Sequence, residues 1–170
     1  ALRSVFLVPD TRHVRTLINF FTENSPDTQI FDAKDIEQSK DDFINSDDAV
    51  VILANRFDGI DFPDDECRML FIVNLPKTTN IQERFLISRM GSSKLYAERI
   101  RTRIIQAVGR CSRNPSDYSV VCVIGDTIQN DLTKQENLRR FPPELRAELE
   151  FGLENSTEYA KVQEIDTHVK

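Results

Sequence analysis

Four short apolar runs, each bounded by turn-forming residues, constrain this chain more than any other feature. They occupy residues 5–8, 49–53, 69–73 and 118–124, and Thr28-Gln-Ile-Phe31 reads as a further short strand. Uninterrupted apolar runs of this length read as strands buried on both faces, the habit of parallel sheets covered by helices. The intervening sequence has helical character. Residues 12–23 carry Val14, Leu17, Ile18 and Phe21 at helical spacing for burial, with Asp10 or Thr11 placed to cap the helix. Residues 35–45 read as a second helix, with Ile36, Phe43 and Ile44 toward the sheet, and 94–113 as a long basic helix. Strands and helices alternating in this way predict an α/β fold: a doubly wound, mostly parallel sheet of about five to six strands flanked by helices. Beyond Thr127 the chain turns polar and helical, at 128–138 and again from Pro142-Pro143 through Phe151. Residues 154–170 hold few apolar anchors and are expected to fray or to join a part of the protein not present here. The expected organisation is an α/β lobe over 1–126 and a helical extension over 127–170.

The net charge of −6 argues against a general nucleic-acid-binding domain, but its distribution is uneven. Between Arg84 and Arg113 eight basic residues face one acid, a balance of +7 that leaves −13 to the rest of the chain. Positive potential gathered in this way attracts phosphates while the remainder keeps the chain soluble. Cys67, Cys111 and Cys122 are too scattered for a zinc site or a disulfide framework and read as reduced thiols, so an intracellular, cytoplasmic or nucleoid-associated setting is expected. His13 and His168 are isolated in sequence and read as surface or helix-facing residues. No apolar run approaches the ~20 residues of a membrane span, and no metal site is expected.

Two stretches carry chemistry. Gln106-Ala-Val-Gly109-Arg110-Cys-Ser-Arg113 ends the basic helix with two arginines three apart, hence on one helical face. Gly109 permits close approach of a backbone or a phosphate, and guanidinium forks bind phosphate oxygens with two bonds at once. Alone, the same arginines fit a solvated helix face equally well. Upstream, the apolar run of Val50 to Leu53 empties into Asn55-Arg56-Phe57-Asp58-Gly59-Ile60-Asp61-Phe62-Pro63. A polar loop at the carboxyl end of a parallel strand is where nucleotides bind in open α/β sheets.

Together, in this order, the two stretches resemble motifs V and VI of the second RecA-like lobe of superfamily 2 helicases, motif VI having the form Q-x-x-G-R-x-x-R. The wording Gly59-Ile-Asp-Phe-Pro63, and Asp117-Tyr118 leading into the last strand, resemble the XPD/DinG-like branch. The resemblance spans about residues 4 to 126. It implies a motor lobe acting on ATP and Mg2+ held mainly by an N-terminal RecA-like lobe of the same protein, because no Gly-x-x-x-x-Gly-Lys-Ser/Thr phosphate loop occurs in these 170 residues. The chain therefore reads as one lobe of a longer protein. The branch's iron–sulfur cluster belongs to the other lobe.

The resemblance also implies roles. Arg113 becomes the arginine finger on the γ-phosphate, Arg110 a second phosphate contact, and Gln106 a hydrogen-bonding partner near the attacking water or the phosphate. Gly59 lets the backbone approach ATP, and Asp61 accepts from a ribose hydroxyl or fixes the motif VI arginines. Asp10 and Thr11, at the start of the first helix, and Asn55 and Arg56, ahead of the motif V glycine, are the expected contacts to a single strand, with DNA the expected track and RNA the alternative. Asp58 stands where the branch usually has glutamate. The competing class is a non-hydrolysing regulatory or interaction module that keeps the fold.

Overall fold

The computed structural model describes residues 2–55, 60–74, 93–108 and 118–158, which divide between two compact units, Ala1–Ile128 and Gln129–Lys170. The first unit runs β1 (Leu2–Val8), α1 (Thr11–Asn24), β2 (Gln29–Phe31), α2 (Ala33–Gln38), α3 (Asp41–Ile44), β3 (Asp48–Ala54), a 3-10 turn (Asp64–Glu66), β4 (Met69–Val73), α4 (Ser93–Val108) and β5 (Val120–Ile124). The strands form one five-stranded sheet in the order β2-β3-β1-β4-β5, and every pairing is parallel. The expected doubly wound sheet of RecA-like type is thus what the chain builds.

Register explains the unbroken apolar runs. Val5 pairs with Val51 and Leu70, and Leu7 with Leu53 and Ile72, so these six point to one face, and all are fully buried. Phe6 lies level with Ile52 and Phe71 on the opposite face, where Val14, Leu17 and Phe21 of α1 pack. The Phe6 ring stacks on Phe71 at 4.4 Å and meets the edge of Phe21 at 5.5 Å. A strand with helices on both sides has no polar face to alternate with. On α4, Ile100, Ile104 and Ala107 make a buried stripe at helical spacing.

Several expectations need correction. The helix expected over 35–45 is two short helices. Asp32 caps the first by accepting from Lys34 N and Asp35 N, and the Asp35 carboxylate accepts from Asp32 N at 2.8 Å, which closes a capping box. The helix then stops because Ser39 is extended, at φ −160° and ψ 137°. Ile36 and Phe43 are buried as expected, and Ile44 is half-buried. On α1 the apolar stripe is narrower than its sequence implies, since Ile18 turns outward. The last strand starts at Val120, leaving Tyr118 exposed with its ring under Arg68 at 4.2 Å. Cys67 and Cys122 are free thiols, and burial pushes the Cys122 thiol up.

The second unit continues α5 (Asp126–Leu132) into α6 (Gln135–Leu138) and α7 (Pro143–Glu158). Leu132, Leu138, Phe141 and Leu145 are buried, and Asn137 Nδ2 donates to Asp131 O and Oδ1. Pro143 opens α7 at the position where a missing N–H costs nothing. The helix persists to Glu158, beyond the point where fraying was expected. No helix among the described residues is long and apolar enough to cross a membrane.

Candidate functional site

The strand order fixes where a ligand can meet this sheet. From β1 the chain travels to β2 on one side, whereas from β4 it travels to β5 on the other. Neighbouring strands whose outgoing connections diverge open a crevice beyond their carboxyl ends, the usual ligand position of such folds. Pro9-Asp10-Thr11 follows β1 at this edge, Asn55 follows β3, Asn74 follows β4 and Gly125 follows β5.

Three of these residues have left-handed backbones: Asn55 at φ 54°, Asn74 at φ 60° and Gly125 at φ 119°. Asn55 N still donates to Val8 O and Asn74 N to Ile124 O, each at 2.7 Å, so the ladders run to the last residue before the chain turns away. Asparagine tolerates this conformation better than other residues with a Cβ. Asn55 Oδ1 is buried and accepts no hydrogen bond, an unsatisfied acceptor that costs about 1–3 kcal/mol. Strain and unsatisfied polar atoms of this kind gather at working sites.

Gly125 is held by Asn74. A Cβ at Gly125 would lie 2.0 Å from Asn74 Oδ1 and 2.8 Å from its Cγ. Gly125→Ala is therefore expected to cost about 1–3 kcal/mol through backbone strain alone and to displace the Asn74 amide. A fall of several degrees in melting temperature would register it, and an unchanged melting temperature would refute it.

Asp10 does two jobs at this edge. Its Oδ1 accepts from Arg12 N at 3.1 Å and His13 N at 3.2 Å, capping α1, and meets His13 Nδ1 at 2.7 Å. With Nδ1 donating to Asp10, the neutral ring presents Nε2 as an acceptor, 3.5 Å from Asn74 Nδ2. His13 thus spans the crevice from α1 to the end of β4, where sequence suggested an isolated side chain. The Asp10–His13 spacing of three on a first helical turn was the available signal; the Asn74 contact had none. Because Asp10 already engages two amides at the helix start, a phosphate there would have to displace a carboxylate. Thr11 beside it is exposed.

Of the motif V residues, Asn55 and Asp61 are described, at the end of β3 and on the return toward β4, and both are half-buried. Asp61 O accepts from Lys40 Nζ at 3.0 Å. Phe62 is fully buried with its ring edge-on to Phe43 at 5.5 Å. Gln106 is exposed near the end of α4. On the same helix, Arg101 is paired with Glu98, so one of the basic charges is answered locally. Arg56, Asp58, Gly59, Arg110 and Arg113 lie outside the described residues.

A five-stranded all-parallel sheet flanked by helices is the architecture of a RecA-like α/β fold. The chain belongs to the helicase C-terminal domain family, whose model matches residues 2–144, the domain found in XPD/DinG-like superfamily 2 helicases. No curated protein matches the chain.

Proposed function

We propose that this chain is the second motor lobe of an ATP-dependent helicase or translocase, completing a nucleotide site whose phosphate loop lies on an N-terminal lobe. The reading rests chiefly on the family match over residues 2–144 together with the motif V loop leaving β3 at the ligand-binding edge of the sheet. In it, the N-terminal lobe holds ATP and Mg2+. Gly59 and Asp61 approach the nucleotide from motif V, and Arg110, Arg113 and Gln106 reach the phosphates from motif VI. These groups engage only when the lobes close. Hydrolysis removes the γ-phosphate they grip, so closure loses its driving force and the lobes part.

The track is a single strand of nucleic acid, DNA before RNA, laid along the carboxyl edge. Thr11, Asn55 and Arg56 are the contacts, with Asp10 holding the start of α1. Backbone contacts carry no sequence information, so binding is sequence-tolerant and weakens steeply with salt.

Steady-state ATP hydrolysis by the two-lobe protein, with and without single-stranded DNA or RNA, tests the reading. Turnover stimulated by one of the strands is expected, and the better stimulator names the track. Residues 1–170 alone are expected to hydrolyse essentially no ATP. Robust turnover by this chain in isolation would overturn the division of labour, and absent turnover in the two-lobe protein would favour a non-hydrolysing regulatory module.

A further inference from the structure

Motif V is followed by no helix. The chain returns from the end of β3 to the start of β4 through residues 55–68, and the only regular element described there is the 3-10 turn Asp64–Glu66. The β1–β2 and β2–β3 crossovers carry α-helices. Here side chains from distant elements hold the chain.

Arg3 of β1 holds the far end. It donates through Nε to Glu66 O at 2.9 Å, through Nη2 to Asp65 O, and through Nη1 to Ile44 O at 2.6 Å and Ser46 O at 3.2 Å. Lys40, in the break between α2 and α3, holds the near end. Its Nζ donates to Asp61 O at 3.0 Å and to Glu66 Oε2 at 2.6 Å, and sits 5.7 Å from the centroid of the Phe62 ring. Lys40 and Glu66 side chains are 32% and 22% exposed, so the pair is only partly screened by water. One ammonium therefore ties Asp61, before the 3-10 turn, to Glu66 at its end.

We propose that Lys40 is a positioning residue for the motor, setting the place of Asp61 within motif V. The proposal rests on the function proposed above. Phe62 anchors the segment in the core whether or not Lys40 is present. Loss of the ammonium leaves Phe62 buried but removes one hydrogen bond from the Asp61 carbonyl. Misplacement of a phosphate-facing group by about 1 Å costs up to about 100-fold in rate. Interactions made only on closure appear in kcat rather than in ATP binding.

The test is Lys40→Met in the two-lobe protein, which keeps the apolar stem over Phe62 and removes the donors. With saturating single strand, kcat is expected to fall about 10- to 100-fold with KM for ATP within about twofold, and Lys40→Arg to recover most of the loss. Amide exchange at Ile60, Asp61 and Phe62 is expected to quicken in Lys40→Met while the buried strands β1 and β3 keep their protection. Unchanged exchange at those three amides overturns the proposal outright, and so does full kcat in Lys40→Met. A wild-type protein without nucleic-acid-stimulated turnover defeats the functional reading instead, and exchange then still reports whether Lys40 holds the segment. If Lys40→Met melts below the assay temperature, Glu66→Gln supplies the comparison. It removes the charge pair and spares the donor to Asp61, so a smaller loss of kcat than 10-fold is expected; a loss of 10-fold or more refutes the Asp61 route.

Discussion

Arg113→Ala in the two-lobe protein is expected to reduce strand-stimulated ATP turnover by about 10³–10⁵, the range for removal of an arginine finger. On the proposed function, ATP affinity should change little, because the finger would meet the γ-phosphate only in the closed state and the other lobe would hold most of the nucleotide. Arg113→Lys is expected to rescue poorly: an ammonium keeps the charge but not the planar fork that spans two phosphate oxygens. Paired measurements of nucleotide binding and single-turnover hydrolysis separate the two effects. Near-normal turnover in Arg113→Ala would remove Arg113 from the chemistry, and a parallel collapse of ATP binding would make it an anchor for the ground state.

The largest expected loss of stability comes from Phe62→Ala. Phe62 is fully buried at the end of a chain of edge-on rings, Phe62 to Phe43 at 5.5 Å and Phe43 to Phe31 at 5.8 Å. Removing a ring from such a position costs about 3–5 kcal/mol, against total stabilities of about 5–15 kcal/mol for whole domains. Urea unfolding of the 170-residue chain should show a lower midpoint at unchanged slope, the mark of lost stability without a changed unfolding transition. Phe62→Leu should lose less, because it refills part of the cavity. A loss below about 1 kcal/mol in Phe62→Ala would mean that the neighbouring side chains collapse into the space. The phenylalanine of the Gly-Ile-Asp-Phe-Pro stretch is thus explained by packing: it pins the chain immediately after Asp61.

The sheet was legible because burial on both faces leaves a signature that survives in one dimension. Val50 to Leu53 and Met69 to Val73 could hardly be anything else. Local polar chemistry was legible too, as in Asp10 capping α1; the capping box of Asp32 and Asp35 was equally readable and went unread in placing the start of α2. What sequence could not yield was contact at a distance. The break at Ser39-Lys40 makes sense only once Lys40 is seen reaching Asp61 and Glu66, and the outward turn of Ile18 only once the width of the sheet under α1 is known. His13 looked isolated because its second partner, Asn74, follows a strand far along the chain. Of the candidate site, the motif VI pattern was readable as a string of residues. The left-handed ends of β3 and β4 depend on how neighbouring strands stop, and no residue pattern announced them.

Strand order also dictates a timetable. Of the five strands in this sheet, β1 is made before the others and is the central one in the finished sheet, flanked by β3 and β4. Val5 therefore waits with both edges unpaired until its partners Val51 and then Leu70 have been made. Contacts so distant in sequence close slowly, and an apolar strand with bare edges is the template on which chains stick together. For this lobe the hazardous interval is synthesis itself. A nascent chain halted before β4 displays its central strand half-paired, and chaperone capture or aggregation should be greatest for truncations ending between β3 and β4.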